Sequence, residues 1–348
     1  MKLPITALCF IALILTGCSS GIQFEKPQKV PRASTENQQA LIDAGVVAHD
    51  KGDYDKAIEN YQKVLAENPE NVTALYEEAF SYAAKQDWTK SLELGMMCTQ
   101  YQSNNLNRAY TLIGNALDNL GRSKDALAVY KHILEMNPYD YLAEFNLGIT
   151  YFRLGELTDA KDCFKSAVKL KPDHPGSHLF LGKALFKEGN NIPAFFALCR
   201  FLILEPDTKR AEDARLLLTA ILTGNMEKDN KKPKQVNIHI NMNAPKDEGD
   251  FTSANLILVL LAANLYVEDN SGKFDARKLS ELLESMTKVI AEKPDTSKFI
   301  FSYYVPYFKN MQEKKYFLPM TQHILQTGEM SKTAISEFLN WSKFYAWK

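Results

Sequence analysis

The 348-residue chain is 45% hydrophobic and 24% charged and carries a net charge of −1, ordinary figures for a globular protein with a real core. Its length suggests two domains, and its balanced charge gives no footprint for a nucleic-acid partner. It contains no His-Glu-x-x-His, no Gly-x-Ser-x-Gly, no phosphate-binding glycine loop and no Cys-x-x-Cys, so no catalytic residue and no cofactor is assigned.

The first element is Met1-Lys2 followed by an apolar run from Leu3 to Leu15. That run is short for a membrane span and reads as a signal peptide over residues 1–17. It ends in Leu15-Thr16-Gly17-Cys18, which resembles the bacterial lipobox. The resemblance implies a diacylglycerol on Cys18 and a lipid-anchored lipoprotein of the cell envelope; an ordinary secretory signal is the other reading. Ser19 after the cysteine resembles the class sorted to the outer membrane. Several acyl chains on one residue make a stable anchor. Residues 18–37, with Pro27 and Pro31, read as a lipidated tether that holds the rest off a membrane.

From residue 38 the chain repeats itself. Gly45, Gly114, Gly148 and Gly182 form one column, and Gly52, Gly121, Gly155 and Gly189 a second. Ala57, Ala126, Ala160 and Ala194 form a third, and Pro69, Pro138, Pro172 and Pro206 a fourth. Members recur 34 residues apart, with one interval of 69 that leaves room for a degenerate unit. Its column positions fall at Ala79, Gln86, Ser91 and Ser103, and its one extra residue lies near Gln102 to Leu106. A shared period of this length is the mark of a helical repeat array. Each unit reads as a helix, a glycine turn, a second helix and a proline stop. The first glycine and the alanine allow close helix approach. The second glycine suits a left-handed helix end. Asp53, Ser123 and Asn191 stand where a side chain can cap the next helix.

Leu147-Gly148, Tyr151, Gly155, Ala160, Phe164, Ala167 and Pro172 make the clearest copy, and this pattern resembles the tetratricopeptide repeat (TPR). The resemblance implies an all-α superhelical solenoid of about five repeats. It also implies a concave groove, lined by the first helices, that receives a peptide or a partner's helix. The residues placed on that face are Tyr76 and Phe80; Arg108, Asn115 and Asn119; Phe145, Phe152 and Arg153; and Lys183, Phe186 and Lys187. Aromatic rings offer desolvated anchors, asparagine amides can bond an extended backbone, and the cations can pair with acidic groups. Ile42 and Val46 of the first repeat are not the polar pair of a carboxylate-clamp TPR.

Ala211 to Leu222 reads as a capping helix that closes the array, giving a TPR domain over residues 38–224. Residues 225–250 are a polar hinge, Lys-rich up to Gln235, then alternating Val236, Ile238, Ile240 and Met242 with polar residues. Alternation means a strand, alone in a helical chain; it pairs with a copy of itself, with a partner's edge, or lies extended on helices. Residues 251–348 read as a C-terminal bundle of helices over 252–268, 276–292, 298–312, 315–326 and 332–346. The apolar run Leu256 to Leu261 places the first of these at the bundle's centre, and the aromatics around Phe301 and Trp341 read as core.

Cys98, Cys163 and Cys199 fall singly on second helices, as buried inert thiols or as reactive ones. His174 and His178 lack a third ligand, and the loop after Asp269 lacks carboxylates at the required places, so no metal site is assigned. The expected function is that of a lipid-anchored envelope adaptor binding other envelope proteins or peptides, with self-association through residues 236–242 as an added option. The rival is an enzyme or ligand-binding protein whose active part is the C-terminal bundle. A cavity there with a buried charged group would favour the rival.

Overall fold

A computed structural model describes residues 22–104, 106–224, 226–228, 236–238, 245–269, 275–292, 294–326 and 331–347. The signal peptide, Cys18 and residues 239–242 lie outside them. The fold is all-α, with sixteen helices among the described residues. Two compact units part between Glu156 and Leu157, whereas the sequence places its hinge at residues 225–250. Unit 1 holds α1 (Glu36–Asp50), α2 (Tyr54–Glu67), α3 (Val72–Ala84), α4 (Trp88–Cys98), α5 (Leu106–Asn119), α6 (Ser123–Met136) and α7 (Tyr141–Leu154). Unit 2 holds α8 (Leu157–Leu170), α9 (Pro175–Lys187), α10 (Asn191–Leu204) and α11 (Lys209–Thr223). It continues with strands β1 (Met226–Lys228) and β2 (Val236–Ile238). Its last helices are α12 (Thr252–Asp269), α13 (Ala276–Glu292), α14 (Phe299–Glu313), α15 (Phe317–Leu325) and α16 (Lys332–Lys343).

The columns of small residues have a direct physical cause. A Cβ on Gly45 would stand 2.4 Å from the Tyr61 ring, and one on Gly114 would stand 2.6 Å from the Tyr130 ring. The first-column glycine therefore makes room for a buried side chain of the second helix. Gly52, Gly121, Gly155 and Gly189 all adopt φ between +77° and +84°, the left-handed turn that stops the first helix. The helices before Pro69, Pro138, Pro172 and Pro206 each end two residues earlier, at Glu67, Met136, Leu170 and Leu204. Asp53 caps α2 as expected, through Lys56 N. Ser123 and Asn191 do not cap: the first residues of their helices are already helical there, and Ser123 Oγ instead donates to Asp118.

The degenerate repeat keeps the turn without its glycine, so Gln86 sits at φ +63°. A non-glycine residue there costs about 1–2 kcal/mol. Gln86→Gly is therefore expected to stabilise unit 1 by about 0.5–1 kcal/mol after glycine's extra unfolded-state entropy. A raised urea midpoint checks it.

The segment after Cys18 is not a free tether throughout. From Ile22 to Lys29 it lies on unit 1, against the loop that carries the extra residue of the degenerate repeat. Lys29 N donates to Gln100 O at 3.0 Å and Gln102 N to Lys29 O at 2.8 Å, a parallel bridge between Lys29 and Tyr101. Phe24 stacks on His132 with centroids 4.0 Å apart and meets the Tyr110 ring edge-on. Phe24 and Tyr110 border a cavity of about 330 Å³.

In unit 2 the central helix is α10, buried without interruption from Ile192 to Ile203 and packed on α9, α11, α12, α14 and α15. The expectation that the Leu256–Leu261 helix is central is wrong: Leu256 is 41% and Leu260 47% exposed, so α12 packs on one side only. An unbroken apolar run does not say which of its faces is covered. The aromatic segment of α14 is core as expected, with Phe301, Tyr303, Tyr304, Tyr307 and Phe308 buried. The hinge strand is not alone: β2 pairs antiparallel with β1, Met226 opposite Ile238. One of its two edges is thus used within the chain.

A buried ion cluster ties the segment before α12 to the repeats. Lys161 on α8 is buried and reaches the carboxylates of Glu188, Asp247 and Glu248, while Lys165 bonds Glu248 at 2.6 Å. Burial alone would lower the Lys161 ammonium, but the hydrogen bonds it donates to Asp247 and Glu188 outweigh that and hold it above 10.5. Asp247 is held below 3.8: burial would raise it, and the bonds from Lys161 and Asn190 prevail.

Among the described residues Cys98, Cys163 and Cys199 are buried and outside any disulfide, and burial pushes Cys98 up to about 12, which removes its reactive thiolate.

Candidate partner-binding surface

The first helices of three successive repeats bring four side chains into one ladder. His49 on α1 stacks on Phe80 of α3, centroids 4.7 Å apart. Phe80 runs parallel to Tyr76 one turn earlier at 6.3 Å, and the Arg108 guanidinium of α5 lies 4.8 Å from the Tyr76 ring centre. The spacing follows from helix geometry, since residues four apart share a face. Phe80 is 43% exposed, so the ladder has a ring open to a partner. A small cavity of about 110 Å³ lies beside Tyr76 and Arg108, with Thr73 and Glu77 in its wall. Burial raises the Glu77 carboxyl above 4.5, and Arg108 offsets part of that. The patch is therefore aromatic with one exposed cation and a nearby acid.

The other expected groove residues are arranged differently. Asn115 and Asn119 share α5, but Asn115 Oδ1 already accepts from Tyr130 OH at 2.7 Å and Asn119 Nδ2 donates to Asn115 O at 2.8 Å. Arg153, half exposed, is paired within the unit, its Nη1 2.6 Å from Asp118 Oδ2. Asp118 is a buried acceptor that also takes Ser123 Oγ at 2.8 Å and Thr150 Oγ1 at 3.3 Å. Arg153 thus joins α7 to α5 and is committed within the unit. Phe145 and Phe152 are half-buried on α7. In unit 2, Lys183 lies 5.2 Å over Phe180, Phe186 is half-buried and Lys187 exposed, all on α9.

Sequence reasoning missed His49, which lies two turns beyond Ile42 and on the turn after Val46. The signal available was its spacing from Phe80 across repeats, which a search for paired polar residues does not reach. His174 and His178 have structural roles. His174 caps α9 through Ser177 N, and buried His178 bonds Tyr304 OH at 2.6 Å and Pro172 O at 2.9 Å. Burial keeps His178 neutral, its pKa pushed down to about 3. Among the described residues no cluster of His, Cys, Asp or Glu could hold a metal.

Family profiles described as tetratricopeptide repeat match residues 141–174 and 108–140, and one described as TPR repeat matches 45–86. These segments are tetratricopeptide repeats. The matches span the end of α1 with α2 and α3, then α5 and α6, then α7 and α8. Among curated proteins, the chain is 26% identical over 136 residues to the general transcriptional corepressor trfA of Dictyostelium discoideum, covering 38% of this chain and 10% of that protein. It is 32% identical over 80 residues to protein O-mannosyl-transferase tmtc2 of Xenopus laevis, covering 22% and 10%. The chain spans only 10–16% of the curated relatives it matches. Among solved structures, TTC0263, a thermophilic TPR protein of Thermus thermophilus, aligns at a TM-score of 0.45 and 24% identity over 53% of this chain and 98% of that one. YrrB, described as a TPR protein with an unusual peptide-binding site, aligns at 0.40 and 21% over 52% and 94%.

Proposed function

We propose that this TPR protein is a lipid-anchored envelope adaptor that captures a protein or peptide partner on the first-helix face of unit 1. The observation that carries the reading is the His49–Phe80–Tyr76–Arg108 ladder, which crosses three repeats and leaves Phe80 open. Stacked aromatics and an arginine are the residue types that supply most interface energy. The ladder selects a segment with an apolar anchor and an acidic group, because Arg108 is the exposed cation beside the rings. The lipobox-like Leu15 to Cys18 supports anchoring at Cys18, on the outer membrane by its Ser19. Ile22, where the chain meets unit 1, follows Cys18 by four residues, so the anchor holds that unit within roughly 15 Å of the bilayer.

Two measurements test it. Tyr76→Ala with Arg108→Ala is expected to weaken partner capture by roughly 30-fold or more, the loss of about 2 kcal/mol that hot-spot residues give. Unchanged capture would remove the ladder from the account. Cys18→Ser is expected to move the protein from the membrane to the soluble fraction and to abolish labelling by a radioactive fatty acid. Retention on the membrane would remove the anchor.

A further inference from the structure

Unit 2 buries a positive charge that makes no ion pair among the described residues. Arg200 on α10 is 2% exposed. Its Nη1 donates to Ser342 Oγ at 2.8 Å and to Tyr307 OH at 3.3 Å. The guanidinium lies 5.2 Å from the Tyr307 ring centre and 5.1 Å from that of Trp347. These are neutral partners, and none is a carboxylate. Nε is buried and has no hydrogen-bond partner, and Nη2 makes no hydrogen bond among the described residues. The unused Nε–Nη2 edge is the planar two-donor fork that matches a carboxylate. An unsatisfied donor on a buried cation is costly to keep, so it calls for an acceptor.

Arg200 also lines a cavity of about 310 Å³, at the small end of the range for small-molecule sites. Its other walls are mainly apolar: Ile203 and Leu204 on α10, Leu339 on α16, Trp347 and Pro172. Ser342 adds a hydroxyl, and Lys343 and Asp173 lie exposed at its edge. A site with one deep cation, one hydroxyl and apolar walls fits an anionic head on an apolar body.

We propose that this cavity binds an apolar carboxylic acid, its carboxylate on the Arg200 guanidinium and its body against Trp347 and Leu339. The site lies within unit 2 and goes beyond the adaptor reading, being the kind of charged cavity that the ligand-binding reading calls for. The same chemistry comes from two sources, a free organic acid or the C-terminal residue of a peptide.

The test is calorimetric titration of the whole protein with N-acetylphenylalanine and with its amide. The acid is expected to bind at least tenfold more tightly than the amide. Leu339→Trp fills the cavity from α16 without touching the arginine, and is expected to weaken acid binding tenfold or more while circular dichroism stays unchanged. Arg200→Met, with folding checked the same way, is expected to abolish the preference for acid over amide. A hexapeptide ending in phenylalanine then separates the sources: tighter binding than N-acetylphenylalanine points to a peptide terminus, equal or weaker binding to a small acid. Equal affinity for acid and amide, no binding of either, or unchanged binding by the folded Leu339→Trp protein would overturn the proposal. Preference for inorganic phosphate over both would do the same.

Discussion

Lys161→Met is expected to destabilise unit 2 by about 3–5 kcal/mol, the usual loss when one partner leaves a buried ion cluster. Glu248 is as buried as Lys161, so without the ammonium its carboxylate is desolvated and answered only by Lys165. Asp247, half exposed, can return to water, which is why the whole cluster is not lost at once. Amide exchange should show the damage in residues 245–250 and at the Glu188 end of α9 first. The cluster also sets a pH window. Asp247 has its pKa lowered, so its contribution is present above about 3.8 and is lost as pH falls through the folded value. Lys161 has its pKa raised, so its contribution is present below about 10.5 and is lost as pH rises through the folded value. The difference between native and Lys161→Met proteins should therefore be widest between about pH 4 and pH 10 and shrink on both sides. A difference under about 1 kcal/mol at neutral pH would show the cluster to be no more than a surface pairing.

Arg153→Glu is expected to cost unit 1 about 2 kcal/mol, less than a fully buried pair because the arginine itself is half exposed. The new carboxylate would face Asp118, which is 5% exposed and cannot turn to water. Asp118→Asn in the same chain should recover at least half of the loss, since it removes the charge that Arg153 answers. If Arg153→Glu leaves the melting temperature unchanged, Arg153 is free for a partner after all. Weakened partner capture by Arg153→Glu alone is therefore no measure of contact at that residue; Arg108 is the cation to change.

The fold is legible in the sequence because its determinants are local and periodic. A glycine that must adopt positive φ, as at Gly155, and a proline that ends a helix, as at Pro172, leave marks that recur with the repeat. The C-terminal helices are legible for the same reason: Ala276–Glu292 is predicted with both its ends, and the others to within about three residues. What is not legible depends on distance along the chain. Lys161 meets Asp247 across 86 residues, and nothing near either one announces the other. β1, Met-Glu-Lys, has no alternation to mark it as the partner of β2. The burial of α10 over α12 depends on which helices pack around each, and both carry apolar runs. At the candidate surface, Tyr76, Phe80 and Arg108 fall on one face by spacing alone. His49 joins them only because α1 packs beside α3, and Arg153 leaves them because Asp118 lies within its reach.

Partner capture by the ladder is tested most directly by site-specific photo-crosslinking in cells from Thr73. That residue is exposed beside Tyr76 and Arg108 and leaves the ladder itself intact. The expected result is one dominant protein adduct that disappears when Tyr76→Ala and Arg108→Ala are introduced, with no such adduct from Leu216, an exposed residue of unit 2. An adduct unchanged by those substitutions, or none from Thr73 at all, would contradict the assignment of this face as the binding surface.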